Sequence, residues 1–133
     1  MLMRPALRSL LITAALAGAA VTHADEPTPR IKQETLLERI EKKDVSMIVL
    51  DVRTPEEFAA GHVPGAINIP YTHLPARLSE LPDAGDKDVV LYCATGVRAE
   101  RAAERMREQG YTRLLHLDGD MKAWDEKNRP KAK

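Results

Sequence analysis

The chain has 133 residues, which gives room for one domain. It carries 20 Lys and Arg residues against 20 Asp and Glu residues, and this balance excludes the basic surface that nucleic-acid-binding domains present. The chain contains one cysteine, which excludes an internal disulfide, so we expect the fold to depend on a hydrophobic core.

The first 24 residues have the pattern of a secretory signal peptide. Arg4 and Arg8 give a basic start, Leu10–Val21 is apolar, and Thr22-His23-Ala24 has small residues at the two positions that signal peptidase recognises. The apolar stretch is shorter than the roughly 20 residues that span a bilayer. It contains no arginine pair and no cysteine, which disfavours twin-arginine export and a lipid anchor. We therefore expect a cleaved signal at 1–24 and a periplasmic protein without a stable membrane anchor.

The first half of the predicted mature chain alternates helical and strand patterns. Residues 25–30 form a proline-containing linker that we expect to be extended and mobile. Ile31 is expected to begin a short edge strand, and the apolar spacing over 33–43 predicts an amphipathic helix. Met47–Leu50 is a continuous apolar run typical of a buried parallel strand. A short helix is predicted from Thr54, its N-cap, to Gly61.

The second half continues the alternation. The predicted elements are a strand over 66–69, a helix over 72–81, a polar loop over 82–88, a buried strand over 89–92, a helix over 99–109, a strand over 114–117 and a closing helix over 121–127 that buries Trp124. A frayed basic tail is expected at 129–133. This order predicts one α/β domain over 31–128, with a parallel sheet of about five strands and helices on both faces.

The chemistry is predicted in the six-residue loop Cys93–Arg98, between a buried strand and a helix. Backbone amides in such a loop can converge on an anion, and Gly96 permits a tight backbone path. Together with Arg98 these amides favour a reactive thiolate. The alternative is that Cys93 is a small buried hydrophobe. A free thiol in an oxidising compartment favours the functional interpretation.

Asp51 and Cys93 both follow predicted parallel strands, so we expect them at the same ligand-binding edge of the sheet. We assign Asp51 a structural role, because a carboxylate beside turn amides organises loops by hydrogen bonds. Arg53 and Glu57 are predicted to form a local ion pair. His62 is expected to hold backbone groups in place. The histidines lack metal-ligand spacing, and we expect no metal site.

The sequence resembles the rhodanese family of sulfurtransferases over essentially the whole predicted mature chain. Leu50–Phe58 with Gly61–Ala66 is similar to the first signature of the family. The second half of the resemblance consists of Tyr92-Cys93 with Gly96 and Arg98, Gly110-Tyr111, and Leu117–Trp124. One departure is Asp120, which follows Gly119 where the family usually has paired glycines. This added carboxylate is expected to affect the turn more than the chemistry.

The resemblance implies a catalytic Cys93 that takes a sulfane sulfur from thiosulfate or a similar small anion, releasing sulfite. The persulfide then passes its sulfur to cyanide or a thiol, without a metal or organic cofactor. A protein sulfur donor or acceptor is a further implied partner. The substrate-binding residues implied are those of the loop, with Arg98 attracting the donor: Ala94, Thr95, Gly96, Val97 and Arg98. The side chains of Ala94, Thr95 and Val97 do not identify the acceptor.

Two other functions remain open at this point. The first is a non-enzymatic persulfide carrier or binding module. The second is a phosphatase or arsenate reductase of the same fold. Cysteine phosphatases place five residues between Cys and Arg, whereas four lie between Cys93 and Arg98, so the loop suits one sulfur atom better than a phosphate.

Overall fold

The computed structural model describes residues 26–82 and 84–133, and these form a parallel α/β sheet with helices on both faces. The strands are β1 (Arg30–Ile31), β2 (Met47–Asp51), β3 (Ile67–Asn68), β4 (Asp88–Tyr92) and β5 (Leu114–Leu117). The helices are α1 (Gln33–Glu41), α2 (Pro55–Ala60), α3 (Val97–Glu108) and α4 (Asp120–Glu126). The strand order is β1-β5-β4-β2-β3, and every pairing is parallel. The predicted fold class is confirmed.

The two central strands are apolar throughout because the sheet is covered on both sides. Leu50 and Leu91 belong to the hydrophobic cluster that includes Met106 of α3. Val49 and Val90 point to the opposite face, where they join the cluster that contains Trp124 of α4. Alternate residues of β2 and β4 therefore fill two separate cores.

The paired central strands bring two chain positions to one edge of the sheet. Asp51 lies beside Tyr92 in the register of β2 and β4, and Cys93 follows directly. The short helix α2 leaves this edge with the predicted cap: the Thr54 hydroxyl accepts from the Glu57 backbone N–H at 3.2 Å, and the Glu57 carboxylate accepts from the Thr54 N–H. The predicted convergence of Asp51 and Cys93 is thus present.

The predicted helix over 72–81 is wrong. The structure has two 3₁₀ turns, Tyr71–His73 and Leu78–Glu80, with an extended residue, Leu74, between them. Pro75 explains the break, because proline has no N–H to donate and disfavours the helical conformation at the preceding residue. The predicted apolar stripe is still buried, since its leucines contact the core beside α3. A further 3₁₀ turn, Ala84–Asp86, lies in the predicted polar loop.

Both ends of the described chain contact the domain. Thr28, in the predicted mobile linker, is 2% exposed and donates to Glu100 at 3.0 Å. The tail, which we predicted to be frayed, pairs Ala132 with His62 by two backbone hydrogen bonds of 3.0 and 2.9 Å. The Trp124 indole also donates to the carbonyl of Pro130. The predicted signal peptide lies outside the described residues.

Candidate functional site around Cys93

The loop after β4 folds back so that one of its own amides contacts the cysteine sulfur. The Gly96 N–H donates to Cys93 Sγ at 3.0 Å. Gly96 has a φ of 115° in the left-handed region, where a side chain is strained. The Cys93 residue is 1% exposed, so only a small group can reach the sulfur unless the loop moves.

Helix α4 fixes the other side of the loop. The N–H groups of Met121 and Lys122 donate to the carbonyls of Cys93 and Ala94 at 3.0 and 3.1 Å. These two carbonyl dipoles are therefore engaged by α4, while the Gly96 amide faces the sulfur. Thr95 and Val97 are exposed at the outside of the loop, and Val97 is 63% exposed.

Arg98 forms a bidentate ion pair with Glu57 of α2. Its Nη1 and Nη2 atoms lie 2.7 and 3.0 Å from the two carboxylate oxygens. Hydrogen bonding from Arg98 lowers the pKa of Glu57 to about 2. The pKa of Arg98 is raised, first by the hydrogen bonds with Glu57 and also by the charge of a Cys93 thiolate. The predicted substrate-binding arginine therefore lies within electrostatic reach of the sulfur, with a carboxylate partner already in place.

The predicted ion pair between Arg53 and Glu57 is wrong. Arg53 instead binds Asp51, with Nη2 at 2.7 Å from Oδ2 and the backbone N–H at 2.9 Å from Oδ1. Arg53 also donates to the carbonyl of Gly61 at 2.8 Å. The reason is local: the chain turns directly after β2, which brings the Arg53 side chain back onto the carboxylate two residues earlier.

Asp51 has the contacts of a structural residue. It is fully buried, and besides Arg53 it accepts a hydrogen bond from the Tyr92 hydroxyl at 2.7 Å. That hydroxyl in turn accepts from the Val63 N–H at 3.0 Å. Burial, together with the charge of Asp51, raises the pKa of Tyr92, so the phenol remains a donor. This network joins β2, β4 and the loop after α2.

His62 holds the end of α2. Its Nδ1 atom lies 2.8 Å from the carbonyl of Phe58, and the two rings stack with centroids 3.6 Å apart. The expected role of His62 as a holder of backbone groups agrees with these contacts. These contacts of His62 are with α2 and, through Ala132, with the C-terminal tail.

A buried group below the loop was missed from the sequence. The Asp120 Oδ1 atom accepts from the Cys93 backbone N–H at 3.0 Å and lies 2.8 Å from Nε2 of His116. The other ring nitrogen of His116 lies 2.8 Å from Oε1 of Glu100. His116 is a polar residue in an apolar buried strand, and this was the available signal, because such a residue needs a partner.

A cavity opens beside the loop. Its volume is about 410 Å³, and it is lined by both charged and loop residues: Arg30, Thr95, Gly96, Val97, Glu100, Arg101, Glu104 and His116. Within residues 26–82 and 84–133 there is no group of three or more His, Cys, Asp or Glu that could hold a metal ion. Over the same ranges, no helix has the length and apolar character needed to cross a membrane.

Comparison with known proteins gives the family to which the domain is similar. The family model described as the rhodanese-like domain matches residues 32–127. The chain is 39% identical over 94 residues to a protein of Allochromatium vinosum named sulfurtransferase, covering 71% of this chain and 85% of the relative. It is 31% identical over 96 residues to a putative sulfur carrier protein of Bacillus subtilis, covering 72% of this chain and 50% of the relative. A rhodanese-related protein from Thermoplasma volcanium has a similar crystal structure, with a TM-score of 0.66 and 30% identity over 78% of this chain and 97% of that chain.

Proposed function

The chain belongs to the rhodanese-like domain family of sulfurtransferases, and we propose that it transfers sulfane sulfur through a persulfide on Cys93. The proposed donor is thiosulfate or a similar small anion, and the proposed acceptor is cyanide or a thiol. The observation that carries this proposal is the Gly96 N–H directed at the Cys93 sulfur, at the carboxyl edge of the parallel sheet.

The proposed reaction has two displacement steps. The Cys93 thiolate attacks the outer sulfur of thiosulfate, a new S–S bond forms, and sulfite leaves with the electron pair of the broken S–S bond. Cyanide then attacks the terminal sulfur of the persulfide, giving thiocyanate and restoring the thiolate. A thiol acceptor attacks as its thiolate in the same way and leaves carrying a persulfide. Neither step requires a metal, an oxidant or a strong general base.

The loop supplies hydrogen-bond donors for the anions in both steps. The Gly96 amide already donates to the sulfur. The first-turn amides of α3 begin at Val97, directly after it, and such amides have no acceptor within their own helix. Donors that are fixed before the reaction stabilise a developing anion without reorganisation. The loop therefore supports both the thiolate and the terminal persulfide sulfur.

Arg98 is proposed to attract the anionic donor. Two of its nitrogens bind Glu57, but a guanidinium has five N–H groups, so further donors remain for a substrate oxygen. The side chain is 27% exposed, which leaves it accessible from the solvent. Glu57 thus orients Arg98 and reduces its net positive field. Thiosulfate binding is expected to be modest for this reason.

The test is the intact mass of the mature protein after incubation with thiosulfate, combined with a thiocyanate assay after cyanide is added. We expect one added sulfur atom, removal of that atom by cyanide, and thiocyanate formation. Cys93→Ser is the matched variant and should abolish both signals. An unchanged mass together with no thiocyanate would overturn the proposal.

The persulfide-carrier function is a second candidate, supported by the Bacillus subtilis relative named as a putative sulfur carrier. Stable loading from a persulfidated protein donor, with little turnover of thiosulfate, would favour the carrier. Hydrolysis of a phosphate ester that is lost in Cys93→Ser would instead favour a phosphatase.

We also propose that the protein acts after export. The supporting pattern is the basic and apolar stretch over 1–24 with small residues before Asp25. Cell fractionation followed by intact mass should find a periplasmic protein that begins at Asp25. A cytoplasmic protein that retains residues 1–24 would contradict this proposal.

A further inference from the structure

Three side chains from three elements form a continuous line below the Cys93 loop. Asp120 of α4 accepts the Cys93 N–H and contacts His116 of β5, and His116 contacts Glu100 of α3. Asp120 and His116 are each 1% exposed, whereas the Glu100 side chain is 36% exposed beside the 410 Å³ cavity. The line therefore connects the backbone of the cysteine to a solvent-accessible carboxylate.

The two carboxylates require a particular protonation of the ring. An ionised carboxylate only accepts hydrogen bonds, so each nitrogen of His116 must carry a hydrogen to satisfy both Asp120 and Glu100. With both carboxylates ionised, His116 is an imidazolium. Burial works against this charge, and so does Arg30 of β1, but the hydrogen bonds and charge of Asp120, followed by the hydrogen bond of Glu100, raise the pKa of His116. Asp120, Glu100 and Arg30 have the largest effects on the pKa of His116, and Arg101 and Glu104 line the cavity beside the ring.

The carboxylate of Asp120 also lies close to the loop that holds the sulfur. A Cβ atom placed on Gly96 would be 3.0 Å from Asp120 Oδ2 and 3.2 Å from His116 Cε1. Because the Gly96 amide donates to Cys93 Sγ, the acid and the ring pack directly against the backbone that stabilises the thiolate. A negative charge at this position opposes a second negative charge on the sulfur, unless a cation offsets it.

We propose that Asp120 and His116 are positioning residues for Cys93: the carboxylate fixes the backbone of the cysteine, and the imidazolium offsets the charge of that carboxylate. Thiolate formation at Cys93 is thereby coupled to the proton on His116. When His116 loses this proton, Asp120 is left uncompensated and the thiolate becomes less favourable. This inference uses the proposed function only in taking Cys93 as the reacting thiol.

The main test measures the rate of Cys93 alkylation by iodoacetamide as a function of pH. Asp120→Asn keeps an acceptor for the Cys93 N–H but removes the negative charge; in the pH range where Glu100 keeps His116 protonated, the midpoint of the profile should fall by about one pH unit. His116→Gln keeps a donor toward Asp120 but removes the cation, so the midpoint should rise by about one unit. In the double variant the effect of His116→Gln should largely disappear, because the charge that it compensates is gone.

Glu104→Gln is the matched control, since Glu104 lies one turn after Glu100 on α3 and lines the same cavity. Its midpoint should remain that of the wild-type protein. Alkylation reads the thiol directly, so these results are independent of whether thiosulfate adds a sulfur to Cys93. Shifts of both single variants in the same direction, or no shift in either, would overturn the coupling.

A second measurement covers the case in which the buried variants do not fold. Coupling between two titrating groups is reciprocal, so removing the thiolate must lower the titration midpoint of His116. We expect NMR titration of the ring protons to give a lower midpoint in Cys93→Ser than in the wild-type protein. Equal midpoints in the two proteins would overturn the proposal.

Discussion

Two sets of charged groups near the Cys93 loop differ in their cations. The arginine cluster consists of two ion pairs, Asp51–Arg53 and Glu57–Arg98. The histidine cluster consists of Glu100, His116 and Asp120. An arginine remains charged at every physiological pH, whereas a histidine changes charge near neutrality. Near the Cys93 thiol, the carboxylates of one cluster are therefore paired with permanent positive charges, and those of the other with a positive charge that depends on pH.

The two clusters are expected to weaken at opposite ends of the pH scale. The folded pKa of Glu57 is lowered, so its contribution to stability is present above its ordinary pKa and is lost as the pH falls toward about 2. The folded pKa of His116 is raised, so its contribution is present below its ordinary pKa and is lost as the pH rises through the folded value. The chain therefore pairs an acid-sensitive contact with a base-sensitive one around a single sulfur.

The largest effect is expected when the buried part of the arginine cluster is broken. Asp51→Ala leaves Arg53, which is 6% exposed, without its carboxylate and leaves the Tyr92 hydroxyl without its acceptor. Loss of one partner of a buried ion pair costs about 3–5 kcal/mol. Urea denaturation should show a fall of this size in the free energy of unfolding relative to the wild-type protein.

Asp88→Ala is the control for this loss. Asp88 begins β4 and pairs with Arg39 and Arg113, but its side chain is 25% exposed. Surface ion pairs contribute about 0–1 kcal/mol, so this variant should lose far less stability. Similar losses of stability in the two variants would show that the buried Asp51–Arg53 pair contributes no more than the partly exposed ion pairs of Asp88.

The arginine cluster also shows what the sequence could reveal. Met47–Leu50 and Val89–Tyr92 were predicted as strands because parallel strands covered on both faces are continuously apolar. Because Asp51 and Cys93 follow these two parallel strands, the sequence predicted that they lie at the same edge of the sheet, and the structure shows this arrangement. The partners were not predictable in the same way. Arg53 has a carboxylate two residues before it and another four residues after it, and the turn after β2 decides between them.

His116 in an apolar strand indicated that a buried partner was needed, but the identity of its partners in the histidine cluster was beyond sequence reasoning for a different reason. Its members come from α3, β5 and α4, and no spacing rule joins three separate elements. The sequence marks Asp120 as a departure from a glycine pair, with a larger expected effect on the turn than on the chemistry. It does have a φ of 53°, but its carboxylate also binds the Cys93 N–H. Such a contact follows from packing, which the apolar pattern of the chain does not specify.

The next largest effect on stability is expected from a side chain added at Gly96, where the Cys93 loop packs against the histidine cluster. Gly96→Ala combines a left-handed backbone with a Cβ that would lie 3.0 Å from the Asp120 carboxylate. Gly110→Ala is the control, because Gly110 has a φ of 92° and nothing within 4 Å of the added atom. We expect about 1 kcal/mol of lost stability at Gly110 and about 2–4 kcal/mol at Gly96. Equal losses would mean that backbone strain alone sets the cost and that Asp120 does not limit the loop.

The smallest effect is expected from removing the charge of Glu57. Glu57→Gln retains the capping box of α2, because glutamine at this position also reaches the N-cap amide, but it removes the ion pair with Arg98. The Glu57 side chain is 34% exposed, so we expect a loss of only about 0.2–1 kcal/mol at neutral pH, measured by urea denaturation. The difference from the wild-type protein should shrink as the pH falls from the ordinary pKa of the group toward about 2, because the Glu57 carboxylate becomes protonated first in the unfolded chain and then in the folded protein.

Glu56→Gln provides the matched control for this difference, since Glu56 is exposed in the same first turn of α2. The kinetics should also separate the two variants. If Arg98 attracts the donor, release from Glu57 strengthens its field, and the KM for thiosulfate should fall about twofold or more in Glu57→Gln but not in Glu56→Gln. A higher KM in Glu57→Gln would mean that the carboxylate mainly holds the guanidinium in place. Glu57 would then act by positioning Arg98 rather than by reducing its positive field. Of the two clusters, only the histidine cluster would then adjust the charge near the sulfur.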